Sequence, residues 1–156
     1  MSIEKIIYSV SVPVIQLGVT HRNVSNAELA KLNEAADPLL SLLNTDSAIS
    51  GAILLATCNR FEIYVDAKNL HPGVEIVRQG LAKVTDDSEP IAKNLQVRSG
   101  QLAVQHLFEV TCGLDAVVVG ENEVAGQVRR ALTAYSQTAN SRLTRLFQAA
   151  LTTSKT

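Results

Sequence analysis

Cysteine and histidine are scarce in this sequence, with two of the first and three of the second among 156 residues. Cys58 and Cys112 are too few and too far apart to form a disulfide scaffold, and two unpaired thiols fit a reducing compartment. His21, His71 and His106 show no metal-ligand spacing, which argues against a zinc site. No apolar stretch reaches the roughly 18 residues of a membrane span, and Met1–Lys5, with Glu4, lacks a signal-peptide pattern. A cytoplasmic protein without a membrane partner is expected. There is no internal repeat, no low-complexity tract and no G-x-G-x-x-G after a strand, so no dinucleotide site is visible.

Acidic residues are missing after Glu123, while Arg129, Arg130, Arg142, Arg145 and Lys155 follow it. The net charge of −1 argues against a general nucleic-acid binder. The basic C-terminal third could touch a phosphate backbone, although solvated helix faces account for the same residues.

What is present is a short polar run between two apolar segments. Thr57-Cys58-Asn59-Arg60 follows Ile53, Leu54 and Leu55 and precedes Phe61, Ile63, Tyr64 and Val65. The second segment alternates in part, as a half-buried strand does, so a hairpin with Cys58 at its tip is expected. The thiolate is the reactive form of cysteine, and Arg60 nearby in sequence favours it. Free cysteine is more often a small apolar filler, so Cys58 is a candidate on sequence chemistry alone.

Val12 to Val19 reads as a first strand, and Ser25-Asn26-Ala27-Glu28 has capping-box spacing that opens a helix. Asp37-Pro38 resembles an N-cap followed by Pro, which predicts a second helical segment through Leu43. A helix from Pro72 to about Val84, a loop over Thr85–Pro90 and a short strand at Leu95–Val97 follow. From Gln101 the pattern is helical, with a last stripe of Leu143, Leu146, Phe147, Ala150 and Leu151. The mixture points to an α+β sandwich rather than a doubly wound sheet. His106 lies on the apolar side of its helix, where a core role or proton transfer is open to it. Glu121, Asn122, Glu123 and Gln127 cluster at a helix start, serving either its dipole or a small ligand.

Taken in order, these segments resemble the glutamyl-tRNA reductase family. Gly18-Val19-Thr20-His21, Thr57 to Arg60 followed by Glu62-Ile63-Tyr64, His106-Leu107-Phe108, Gly113-Leu114-Asp115, and Gly120-Glu121 through Gly126-Gln127-Val128 match its motifs in sequence. Ala116 stands where many members have Ser, and Glu121-Asn122-Glu123 where Glu-Pro-Gln is usual. The resemblance implies a ferredoxin-like antiparallel α+β sheet with packed helices and further C-terminal helices. It implies a catalytic domain over 1–140 and the start of a linking helix over 141–156, without the NADPH-binding and dimerisation domains. It also implies that Cys58 attacks the ester of glutamyl-tRNA to form a thioester, with His106 near the reacting carbonyl. Thr57, Asn59, Arg60, Glu121, Asn122, Glu123 and Gln127 would contact substrate. The whole enzyme would use NADPH to make glutamate-1-semialdehyde for tetrapyrrole synthesis, as a homodimer. Glutamate-1-semialdehyde aminomutase is a second candidate partner, and a non-catalytic tRNA- or protein-binding homologue is the alternative.

Overall fold

The computed structural model describes residues 14–85, 94–114 and 124–155. Four strands and five helices occur among the described residues, in the order β1 (Val14–Thr20), α1 (Asn26–Asn44), β2 (Ile49–Ala56), β3 (Arg60–Ala67), α2 (Leu70–Val84), β4 (Gln96–Ser99), α3 (Gln101–Thr111), α4 (Val124–Ala134) and α5 (Ser141–Ser154). The strands form one sheet in the order β2-β3-β1-β4, and each pair is antiparallel. With α1 joining β1 to β2 and α2 joining β3 to β4, this is the ferredoxin-like arrangement.

Alternation along each strand divides the interior into two cores. Ile15, Leu17, Val19, Leu54, Phe61, Ile63 and Val65 face α1 and α2. Val14, Ile53, Leu55 and Tyr64 face the opposite way, onto α3, α4 and α5. The protein therefore has three layers, and β3 is buried along its whole length. The sequence suggests a half-buried strand there. The difference arises because the helices covering its polar face lie far along the chain, the first of them starting only at Gln101.

Helix α1 starts where the capping box places it. Ser25 Oγ accepts from the Glu28 amide at 3.1 Å and Glu28 Oε1 accepts from the Ser25 amide at 2.9 Å. These bonds, backbone first, hold the Glu28 carboxyl below its ordinary pKa. Asp37-Pro38 does not begin a new helix, since Pro38 lies inside a continuous α1. Leu39, Leu40 and Leu43 continue the buried face of Leu29, Leu32, Ala35 and Ala36, and that packing outweighs the hydrogen bond that proline removes. At the other end, Gly100 with φ of +60° turns the chain from β4 directly into α3, a backbone conformation that suits glycine. Helix α5 buries its entire apolar stripe in the second core. The loop expected over Thr85–Pro90 falls outside the described residues beyond Thr85, as does most of the apolar run Leu114–Val119. No described helix is long and apolar enough to cross a membrane.

Candidate active site

The β2–β3 connection is three residues long, Thr57, Cys58 and Asn59, and hydrogen bonds fix it from within and from both sides. The Thr57 amide donates to the Arg60 carbonyl at 2.8 Å. Thr57 Oγ1 accepts from the amides of Asn59 and Arg60, at 3.1 and 3.2 Å, the local bonding by which short hydroxyl side chains shape turns. With its acceptor sites used, the Thr57 hydroxyl has its own proton left to offer a ligand. From α1, Asn33 Nδ2 donates to the Thr57 carbonyl at 3.1 Å, and the His21 amide donates to the Asn59 carbonyl at 2.9 Å. This framework presents Cys58 to solvent at the apex. Cys112, by contrast, is only partly exposed at the end of α3, and burial pushes its thiol pKa up.

Below the tip, the inward polar face of β3 forms a buried cluster. Arg60 and Glu62 are each 1% exposed. Arg60 Nη1 donates to Glu62 Oε2 at 2.8 Å, and Tyr64 Oη donates to Glu62 Oε1 at 2.8 Å. His106 Nε2 on α3 lies 3.1 Å from Glu62 Oε2. Burial alone would raise the pKa of the Glu62 carboxyl. The hydrogen bond with His106, and the charges of His106 and Arg60, more than offset that and bring it to about 2. Tyr64 moves the other way, well above its ordinary value, through burial and then the Glu62 charge. It therefore remains a donor, and its ring meets Phe147 edge-on with centroids 5.2 Å apart.

Two clefts flank this cluster. One of about 430 Å³ opens over β1, β4 and α3 and is lined by Gln16, Arg22, Glu62, Arg98, His106 and Glu109, among others. Gly18 forms part of its floor, where a Cβ would stand 2.7 Å from Gln16 Nε2 and 2.9 Å from Glu62 Cγ. The second, of about 350 Å³, lies between the end of β2 and α4 and contains Thr57, Cys58, Gln127, Arg130 and Tyr135. Gln127 Oε1 is buried and accepts no hydrogen bond.

The structure thus gathers three of the expected site residues, Thr57, Cys58 and Gln127, around one cleft. Asn59 shares their turn, half-buried, while Arg60 turns into the sheet face. His106 opens on the first cleft instead of the second. Glu121, Asn122 and Glu123 lie outside the described residues. Glu62 and Tyr64 enter the sequence reading only as motif neighbours and Arg130 only as part of the basic C-terminal third, while Arg98 does not enter it at all. For Glu62 and Tyr64 a signal existed, since Arg60, Glu62, Tyr64 and Asp66 recur at every second position. No group of three or more potential metal ligands occurs among the described residues.

Known proteins resemble the chain in sequence and in fold. The family model for the N-terminal domain of glutamyl-tRNA(Glu) reductase matches residues 17–156. The glutamyl-tRNA reductase of Pseudarthrobacter chlorophenolicus is 43% identical over 150 residues, covering 91% of this chain and 34% of that protein. That of Thermobifida fusca is 39% identical over 123 residues, covering 76% and 26%. Among solved structures, the glutamyl-tRNA reductase of Methanopyrus kandleri superposes with a TM-score of 0.66 at 28% identity, over 91% of this chain and 33% of that one. The chain spans about a third, or less, of the length of these relatives. It belongs to the glutamyl-tRNA reductase family and corresponds to that family's N-terminal domain.

Proposed function

We propose that this chain is the acyl-accepting domain of a glutamyl-tRNA reductase, with Cys58 as its nucleophile. The observation that carries the reading is the hydrogen-bonded hairpin tip, which holds an exposed thiol beside a cleft of small-ligand size. Cys58 Sγ attacks the carbonyl carbon of the aminoacyl ester. A C–S bond forms, the ester C–O bond breaks, and the thiol proton ends on the departing 3′ oxygen of the tRNA. Thr57, Asn59 and Gln127, together with Glu121, Asn122 and Glu123 beyond the described residues, are the proposed substrate contacts, while Arg60, buried against Glu62, supports the tip from beneath. His106 is the proposed proton carrier. The Glu62 carboxylate beside its Nε2 orients the ring, as carboxylates orient catalytic imidazoles elsewhere.

In this reading the complete reaction takes glutamyl-tRNA to glutamate-1-semialdehyde for tetrapyrrole synthesis in a cytoplasmic homodimer, with NADPH as reductant and the aminomutase as the next enzyme. The described residues do not fit NADPH. Every strand pairing is antiparallel, and no strand opens through a G-x-G-x-x-G turn into a helix. The part assigned to this chain therefore stops at the thioester. Slow hydrolysis of that thioester makes the chain a glutamyl-tRNA deacylase in the absence of reductant. Deacylation is expected for the natural sequence and for Cys112→Ser, and is expected to be lost in Cys58→Ser. Deacylation at the natural rate in both variants would refute the assignment of Cys58, and no deacylation by the natural sequence would favour a binding homologue.

A further inference from the structure

Arg130 plays no part in the chemistry above, yet it lines the cleft that Cys58 lines. It projects from α4, on the helix face that carries Gln127 and Ala131. Among the described residues no acidic side chain lines this cleft, and Arg130 takes part in none of the ion pairs. The other arginines near the tip are placed differently. Arg60 is buried against Glu62, and Arg22 and Arg98 open on the first cleft. The buried, unpartnered Gln127 Oε1 is a second group in the same cleft that calls for a ligand, here one bearing an N–H donor. A guanidinium without a counter-ion among the described residues, beside a nucleophile and an orphan acceptor, fits a ligand with an anionic group and an amine.

We infer that Arg130 is the anion-binding residue of the Cys58 cleft and holds a carboxylate or phosphate of the acyl donor. The identity of that donor rests on the function proposed above; the anion site itself does not. Two parts of glutamyl-tRNA supply such a group, the glutamyl side-chain carboxylate and the phosphates near the tRNA 3′ end.

The test compares alkylation of Cys58 by iodoacetate, an anion, with alkylation by neutral iodoacetamide, read by peptide mass spectrometry on the full chain. Changes in thiolate fraction cancel in the ratio of the two rates. The ratio is expected to fall about two- to fivefold in Arg130→Gln, to be restored in Arg130→Lys, and to stay constant at Cys112. Raising the salt should lower the ratio in the natural sequence and leave it unchanged in Arg130→Gln. An identical ratio in the natural sequence and Arg130→Gln overturns the inference even if Cys58 still forms a thioester. A second arm separates the sources of the anion. If Arg130 holds the carboxylate, Arg130→Gln slows acyl transfer both from glutamyl-tRNA and from a small glutamyl thioester without phosphate. If it holds a phosphate, transfer from glutamyl-tRNA alone slows. Unchanged transfer from both substrates overturns the inference.

Discussion

At the residue scale, Glu62 organises the buried face of β3. It accepts from Arg60 and Tyr64 and sits against His106, so both of its oxygens are in use. Replacing one partner of such a group leaves the others buried and uncompensated, at a cost of about 3–5 kcal/mol. Glu62→Gln should therefore lower unfolding stability at pH 7 by about that amount in a denaturant titration. The pH dependence follows from the depressed carboxyl. Its contribution is complete above the ordinary value of 4.5 and is lost as pH falls toward about 2. The stability gap between the natural sequence and Glu62→Gln should therefore close across that window. A gap that stays constant down to pH 2 would show that the carboxylate charge is not what holds the cluster. Arg60 shows why neighbours in sequence need not be neighbours in chemistry. Two residues from the thiol, it begins the strand and points into the sheet face, whereas Cys58 lies in the turn.

The hairpin is the element on which the proposed chemistry depends, and one hydroxyl, that of Thr57, accepts two of the hydrogen bonds that hold its tip. Thr57→Val keeps the shape of the side chain but removes the acceptor for two amides, which should cost about 1–2 kcal/mol. Amide exchange at Asn59 and Arg60 should quicken in Thr57→Val and remain slow in Thr57→Ser. Much of this element is legible in the sequence. The flanking apolar segments announce two strands, and the polar run between them announces a turn with Cys58 at its tip. Helix α1 is equally legible at its start, because the Ser25–Glu28 box is a local signal. Its middle is not, because whether Pro38 breaks the helix depends on the sheet beneath Leu39, Leu40 and Leu43. The same holds for β3, whose polar alternation reads as a solvent-facing side until a second layer of helices is placed on it.

In the whole molecule, that second layer ties the end of the described chain to the central strand β3. Asn140 caps α5 and donates through Nδ2 to Asp66 Oδ2 at 2.7 Å, and Arg142 reaches Asp66 Oδ1 at 3.2 Å. Phe147, fully buried in α5, packs on Tyr64. Phe147→Ala should therefore destabilise the whole fold by about 3–5 kcal/mol, seen as a single shifted unfolding transition. Loss of α5 helicity alone, with the sheet unaffected, would show the helix to be an independent appendage. The basic C-terminal third also separates by role, with Arg142 committed to Asp66 while Arg129 and Arg130 stand exposed on α4. Charge counting in the sequence detects this asymmetry but not the division, which depends on where α4 lies against β2. The central claim is that Cys58 takes the glutamyl group, and acid-quenched mass spectrometry after mixing with glutamyl-tRNA tests it most directly. A glutamyl adduct on Cys58 in the natural sequence and in Cys112→Ser, absent from Cys58→Ser, is the predicted result. No adduct on the natural sequence, or the same adduct surviving in Cys58→Ser, would contradict the account.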